Sequence, residues 1–426
     1  MNPVRIARRF GVHYAWVVAA TTFLTMLATA GALGSAGVMI TPLQKEFGWT
    51  TAEVSGALGV RFVLFGLMAP FAAALMNRFG IRRIALTALL LISAGLIGSL
   101  FMRTTAQLLA LWGVVVGIGT GMTALVLGAT VATRWFSAKR GLVVGLMTAS
   151  NATGQLVFLP LLAALTTSLG WRTALTVVVG ALFVAFSLVL VLMRDHPSDV
   201  GLAPFGETAV QPPAQRSRRL SELLIGPFDA LREAARSRLF WALFVTFFVC
   251  GLSTNGLVQT HWVSLCGDFG IVPVGAASML AVIGAFDLVG TLLSGWLSDR
   301  YDNRWLLFWF YGLRGLSLLF LPTSDFSLVA LSTFAVFYGL DWVATVPPTV
   351  KLAAERFGRE RAPMIFGWIF TGHQLGAATA AFGAGTVRTA FGTYLPAVLT
   401  AGALCLLAAV LIVSVGRSAA GVRSPA

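Results

Sequence analysis

Residues 73–82 read Ala73-Ala-Leu-Met-Asn77-Arg78-Phe-Gly80-Ile-Arg82, and residues 295–304 read Gly295-Trp-Leu-Ser-Asp299-Arg300-Tyr-Asp302-Asn-Arg304. Each is a polar turn set between two apolar runs, and the two lie 222 positions apart. The same offset, applied without a gap, carries Gly34 onto Gly256, Gly117 onto Gly339, Gly145 onto Gly367 and Gly154 onto Gly376. Gly170 falls on Gly392, Gly180 on Gly402, and Glu46-Phe47-Gly48 on Asp268-Phe269-Gly270. Turns, charges and glycines that coincide at one offset mark a duplicated unit, and the chain reads as two copies of it.

Working outward from these turns, the apolar runs number twelve. They cover 15–39, 54–76, 83–101, 106–132, 141–165, 172–193, 239–264, 273–297, 305–321, 326–349, 362–386 and 392–415. A helix that crosses a bilayer needs about 20 mostly apolar residues, so twelve of them use most of the 426-residue chain. Only 11% of residues are charged, against about 25% in a soluble domain. Hydrocarbon, rather than water, must face such a surface. The expected fold is therefore an all-α membrane protein, with residues 1–193 and 239–426 as six-helix bundles and 194–238 as a Pro- and Arg-rich cytoplasmic linker. Parallel repeats of this kind place a substrate site at mid-bilayer between the halves.

The net charge of +14 does not indicate nucleic acid. With the N-terminus in the cytoplasm, 24 of the 30 Lys and Arg residues fall on the inner side and 4 on the outer. The basic balance thus reports orientation by the positive-inside rule, with both termini cytoplasmic. Arg outnumbers Lys 27 to 3, which points to a GC-rich bacterial genome and so to the inner membrane. The first apolar run is too long for a signal peptide and reads as a retained span. Cys250, Cys266 and Cys405 form no CxxC pair, and each reads as a small packing residue. No cofactor or metal site is expected.

The paired loops resemble the signature G-x-x-x-D-R-x-G-x-[RK] of the major facilitator superfamily. The second copy carries Gly295, Asp299, Arg300 and Arg304, with Asp302 in place of glycine; the first carries Asn77, Arg78 and Arg82, with Asn77 in place of aspartate. That resemblance covers essentially the whole chain and implies a gating role for the loop, with more weight on Asp299. Within the superfamily, Arg134-Trp135-Phe136-Ser-Ala-Lys139-Arg140-Gly, continuing through Gly145, Ala149, Ser150 and Gly154, is similar to the monocarboxylate and oxalate–formate group. Tyr14-Ala15-Trp16 is similar to that group's Gly-Trp opening. Several of these carriers hold an Arg in helix 8, in the eukaryotic ones four residues after an Asp. Here Thr291 stands four residues after Asp287, so any anchor for a carboxylate must lie elsewhere.

Ionisable groups inside a membrane are costly, and each is a functional candidate. Asp287, Arg314, Asp341 and His373 lie ten or eleven residues in from their inner helix ends, roughly 15 Å up at about 1.5 Å per residue. All four share one level near the midplane. The resemblance puts Arg314 on a peripheral helix, where it is expected to pair with Asp287 or with Asp341. One acid is then left to carry a proton, and Asp287 is the preferred carrier. Arg61 maps onto Ile283, one turn from Asp287, and no acid in the first-half spans can neutralise it. A free guanidinium suits a planar carboxylate, and snorkelling to the outer interface is its plainer alternative. His373 maps onto Asn151; Gln155 lies one turn from Asn151, Gln374 is adjacent to His373, and Asn255 and Gln259 share one face of the seventh span. These could line the path or simply join helices.

The function these readings favour is secondary active transport of a small organic anion, a monocarboxylate, by proton symport or exchange in a monomeric carrier. A proton-coupled exporter of lipophilic compounds is the alternative; many such carriers hold acids on helices 1 or 4, which carry no charge here. No Gly-x-x-x-x-Gly-Lys-Ser/Thr stretch binds nucleotide. An enzyme would need a nucleophile beside His373 and Asp341, and none stands out.

Overall fold

A backbone in hydrocarbon has no water to bond with, so each apolar run must satisfy its own N–H and C=O groups as a helix. The computed structural model describes residues 12–123, 125–210, 220–358 and 361–415. In the first half the membrane helices are α1 (Tyr14–Phe47), α2 (Thr51–Phe79), α3 (Ile81–Ser99), α4 (Thr105–Trp135), α5 (Arg140–Leu169) and α6 (Trp171–Leu192). In the second they are α7 (Arg238–Asp268), α8 (Pro273–Ser298), α9 (Asn303–Phe320), α10 (Leu328–Phe357), α11 (Ala362–Phe391) and α12 (Leu395–Ser414). The molecule is an all-α membrane protein of twelve spans in two six-helix bundles.

Several ends lie beyond the apolar runs. α1 continues to Phe47, where the run stops at 39, and closes on Gly48 at φ 71. Its last turns hold Gln44, Lys45 and Glu46, so helix geometry outlasts the hydropathy that signalled it. α4 and α7 contain π-helical stretches, Leu109–Val116 and Leu252–Gln259, which the hydropathy pattern does not disclose.

The packing repeats as the sequence does. α1 lies against α5 and α6, α2 against α4, and α3 against α4 and α6. In the second half α7 lies against α11 and α12, α8 against α10, and α9 against α10 and α12. At Gly117 an added Cβ would stand 3.1 Å from the Cα of Arg61; at Gly339 it would stand 3.1 Å from the Cα of Ile283. Both pairs of residues are related by the 222-residue offset, so one close helix approach occurs twice.

One large buried cluster draws only on residues between Tyr14 and Met193, a second runs from Ala230 to Ile412 with Val38, Leu159 and Ala163 added, and a small third joins Phe62 to Ala377, Ala378 and Ala381 across the halves. The halves meet along α2 with α11 and α5 with α8. They also touch where α1 meets α7, on the face away from the α6–α7 linker. There a Cβ on Gly37 would lie 2.7 Å from the carbonyl oxygen of Gln259, its own repeat equivalent. Nearby, Thr41 and Ser264 hydroxyls approach to 3.4 Å, and the Ala52 amide donates to Thr389 Oγ1 at 3.3 Å. Burial pushes the Tyr394 hydroxyl on this face up to about 12, so it stays protonated.

On the linker face the described parts of the segment between α6 and α7, 193–210 and 220–237, pack against both halves. Phe205 tucks under the first half: its amide donates to the Trp135 carbonyl at 2.8 Å, and its ring meets Trp16 and Phe136. Trp16 also meets Phe136, and Tyr14 meets Trp135. The aromatic residues of the two family-like stretches thus pack on each other. Further on, the linker helix Leu220–Ala234 lies across α2 and α11. Trp368 Nε1 donates to the Pro227 carbonyl at 2.7 Å, Phe228 meets both Phe71 and Trp368, and Glu233 pairs with Arg361.

Candidate functional site

The structure is decided most sharply where α10 opens. Its first part ends at Asp341 and its second begins at Val346, followed at once by Pro347 and Pro348. Proline lacks an N–H, so the carbonyls of Val343 and Ala344 lose their ordinary partners. Buried backbone groups must find others, and each here does. The Val346 amide donates to Val343 O at 2.9 Å, and the Ser294 hydroxyl donates to Ala344 O. Arg314, wholly buried, donates from Nη2 to the carbonyls of Asp341 and Trp342.

The same guanidinium donates from Nε to Asp341 Oδ2 at 2.8 Å and from Nη1 to Cys250 Sγ at 2.8 Å. Of the two acids open to it, Arg314 therefore takes Asp341. Asp287 instead receives the amide across the break: its Oδ1 accepts from Val343 N at 2.9 Å and from Thr291 Oγ1 at 3.0 Å. Thr291, four residues after Asp287, is thus a partner of Asp287. Asp287 forms no ion pair among the described residues, and it is half-buried on the wall of a cavity.

That cavity, about 130 Å³, lies between the halves at mid-depth. The first repeat contributes Thr29, Leu33, Phe62, Phe65 and Thr120; the second contributes Asn255, Gln259, Asp287, His373 and Gln374. Its wall reaches Phe366, four residues into α11, and Thr148, eight into α5. The cavity is thus drawn toward the linker face and stops below the contact of Gly37 with Gln259. Two buried wall atoms, His373 Nδ1 and Gln374 Oε1, have no hydrogen-bond partner among the described residues.

Asn255, Gln259, His373 and Gln374 accordingly share one cavity, although the helix at Asn255 and Gln259 is π-helical. The side chains of Asn151 and Gln155 lie outside the described residues. Arg61 is placed differently from a direct wall residue. It is 2% exposed, its Nη1 donates to the Leu33 carbonyl at 3.3 Å, and its Nε has no partner among the described residues. Leu33 is itself on the wall, so the guanidinium stands one layer behind it. No acid pairs with Arg61 among the described residues.

The loop residues turn inward on their own halves. Arg134 Nη2 donates to Asn77 Oδ1 at 2.6 Å, and Lys351 pairs with Asp299 at 3.0 Å. The Arg82 amide donates to Asp195 Oδ1 at 2.9 Å. Arg78 lies over Phe79, and Arg300 lies 4.1 Å over the Trp296 ring. Asp302, the departure from glycine, caps α9 by accepting the Arg304 amide at 2.9 Å. Space around Gly295 is open. None of these bonds crosses between the halves.

Cys250 is more than the packing residue its apolar surroundings suggest. Its sulfur faces the Arg314 guanidinium and lines the cavity. Nothing in its neighbours along the chain carries that signal; it arises because α7 presents one face to the break in α10.

The sequence model described as Major Facilitator Superfamily matches residues 19–381 and 262–425 of the chain. The chain is similar to the uncharacterized MFS-type transporter YcxA of Bacillus subtilis (strain 168), at 25% identity over 95% of this chain and 93% of that protein. It is also similar to monocarboxylate transporter 13 of Rattus norvegicus, at 28% identity over 92% of this chain and 87% of that protein. Monocarboxylate transporter 11 of Mus musculus is 28% identical over 67% of this chain and 60% of its own length.

Proposed function

From the premise that the chain belongs to the Major Facilitator Superfamily, we propose that it carries a small organic anion, a monocarboxylate, across the bacterial inner membrane by alternating access. It is a transport protein and not an enzyme. The observation that carries the reading is the mid-depth cavity walled by both repeats, closed at one face and drawn toward the other. In the proposed orientation both termini and the linker are cytoplasmic, and this conformation faces the cytoplasm. Residues 1–193 and 239–426 are the two bodies that rock, with 194–238 between them. The loops holding Asn77 and Asp299 would close the cytoplasmic side only in the other conformation, since here they bond within their own halves.

In this reading the substrate carboxylate draws its positive partner from Arg61, freed of Leu33, with His373 and Gln374 as further hydrogen-bonding groups. Two relatives named as monocarboxylate transporters support the substrate class. Asp287, left without a cation by the pairing of Arg314 with Asp341, is the proposed proton carrier. Protonation would weaken its hold on the Val343 amide, and so link the proton to the bend of α10. The carrier works as a monomer in this scheme. A cavity of about 130 Å³ favours a small substrate over drug-sized compounds, whose sites occupy about 300–1,000 Å³.

The test is uptake into proteoliposomes of a panel of labelled carboxylates, with and without a pH gradient. Arg61→Gln should abolish that uptake while the protein remains folded and monodisperse. Uptake preserved at unchanged half-saturation would remove Arg61 from the substrate's path.

A further inference from the structure

We infer that the cavity selects monocarboxylates whose body is an aromatic ring. The inference rests on the monocarboxylate reading above and narrows it. Six aromatic side chains stand on the wall: Phe62 and Phe65 from α2, Phe247 from α7, Trp342 from α10, and Phe366 and Phe370 from α11. Most of them form one connected surface. Phe65 meets Phe370 edge-on at 5.8 Å, and Phe247 meets Phe366 at 5.8 Å.

The imidazole of His373 lies inside this surface, 4.9 Å from the Phe247 ring and stacked within 7° on Phe370. Its Nδ1 and the neighbouring Gln374 Oε1 are the two buried wall atoms left without hydrogen-bond partners among the described residues. Buried polar atoms are normally satisfied, and one that is not awaits a ligand or water. The Gln374 amide can present either its oxygen or its nitrogen, so the pair can meet a carboxylate with two donors. One end of the cavity thus offers polar groups, and the remainder offers ring faces and edges.

Size suits the ring itself: a dry cavity of about 150 Å³ holds benzene, and this one is about 130 Å³, so the rest of a phenyl acid would extend along its opening toward the linker face. Rings pack well edge-to-face on other rings. A two- or three-carbon acid would occupy the polar end and leave the ring wall without contacts. Apolar pockets discriminate by about 10–200-fold for each missing group of methylene size, so a ring should count for at least about tenfold.

The experiment compares acids that share a head group: pyruvate with phenylpyruvate, and lactate with phenyllactate. Saturable uptake of each is measured with the full chain in proteoliposomes, above protein-free vesicles, and phenylethylamine serves as the ring without a carboxylate. The expected result is a half-saturation at least about tenfold lower for each phenyl acid. Phe370→Leu and, separately, Phe65→Leu should shrink that gap to under about threefold in protein that remains monodisperse. Equal half-saturation within each pair, or a gap that both variants leave intact, overturns ring selection while the carboxylate reading stands. Uptake of phenylethylamine with neither acid overturns the carboxylate reading while the ring preference stands. No saturable uptake of any of these probes overturns both.

Discussion

α4 and α10 are the same helix in two copies, and both are interrupted at the same place. α4 turns at Thr123, and α10 opens over 342–345, with Thr345 at the position equivalent to Thr123. The two copies satisfy the freed carbonyls by different means. In α4 the repair is local: Thr123 donates from its amide to Thr120 O at 3.1 Å, and from Oγ1 to Thr120 O at 3.2 Å and Gly119 O at 3.5 Å. In α10 it comes from a neighbouring helix, through Arg314. The offset carries Arg314 onto Ile92 and Asp341 onto Gly119, and a Cβ on Gly119 would lie 2.8 Å from Ile92 Cγ1. An apolar contact in one half thus stands where an ion pair stands in the other. Duplication preserves the break and leaves each copy free to choose the chemistry that holds it.

If the comparison is sound, the equivalent positions should respond very differently to one substitution. Arg314→Met removes the partner of a buried Asp341 and strips two carbonyls of their donor. The expected cost is about 3–5 kcal/mol, seen as loss of monodisperse protein after detergent extraction. Ile92→Met, at the matching site, should cost under about 1.5 kcal/mol and leave the protein monodisperse after the same extraction. Similar losses at the two sites would break the contrast.

Asp287→Asn is expected to spare the fold, because an asparagine oxygen can still accept from Val343. It should remove accumulation driven by a pH gradient while counterflow at equal pH survives. Equal loss of both activities would make Asp287 a fastener for the break and nothing more. The smallest effect belongs to the locally repaired copy. Thr123→Val deletes the hydroxyl that donates to Gly119 O and Thr120 O and should cost about 1 kcal/mol, a small fall in melting temperature with the elution profile unchanged.

Much of the architecture is legible in the sequence, because hydropathy reports span number and a gapless offset reports the repeat. The common level of Asp287, Arg314, Asp341 and His373 follows from counting along helices, and Arg314 does meet Asp341 in space. Which acid Arg314 would take could not be read, since both lie at equal depth and helix rotation decides between them. Pro347-Pro348 announces a bend without saying what repairs it. The ring wall was also invisible, since Phe62, Phe247 and Phe370 are ordinary members of apolar spans until four helices converge. Arg61 illustrates the opposite limit: its lack of an acidic partner was predictable, its position behind Leu33 was not.

The linker helix has a mechanical meaning of its own. Pro227 and Phe228 touch α11 and α2 at the seam between the bundles, so the helix acts as a strap laid across the joint. Any movement that parts α2 from α11 on that side must first peel the strap from one of them. Its hold therefore weights the balance between conformations without touching the cavity.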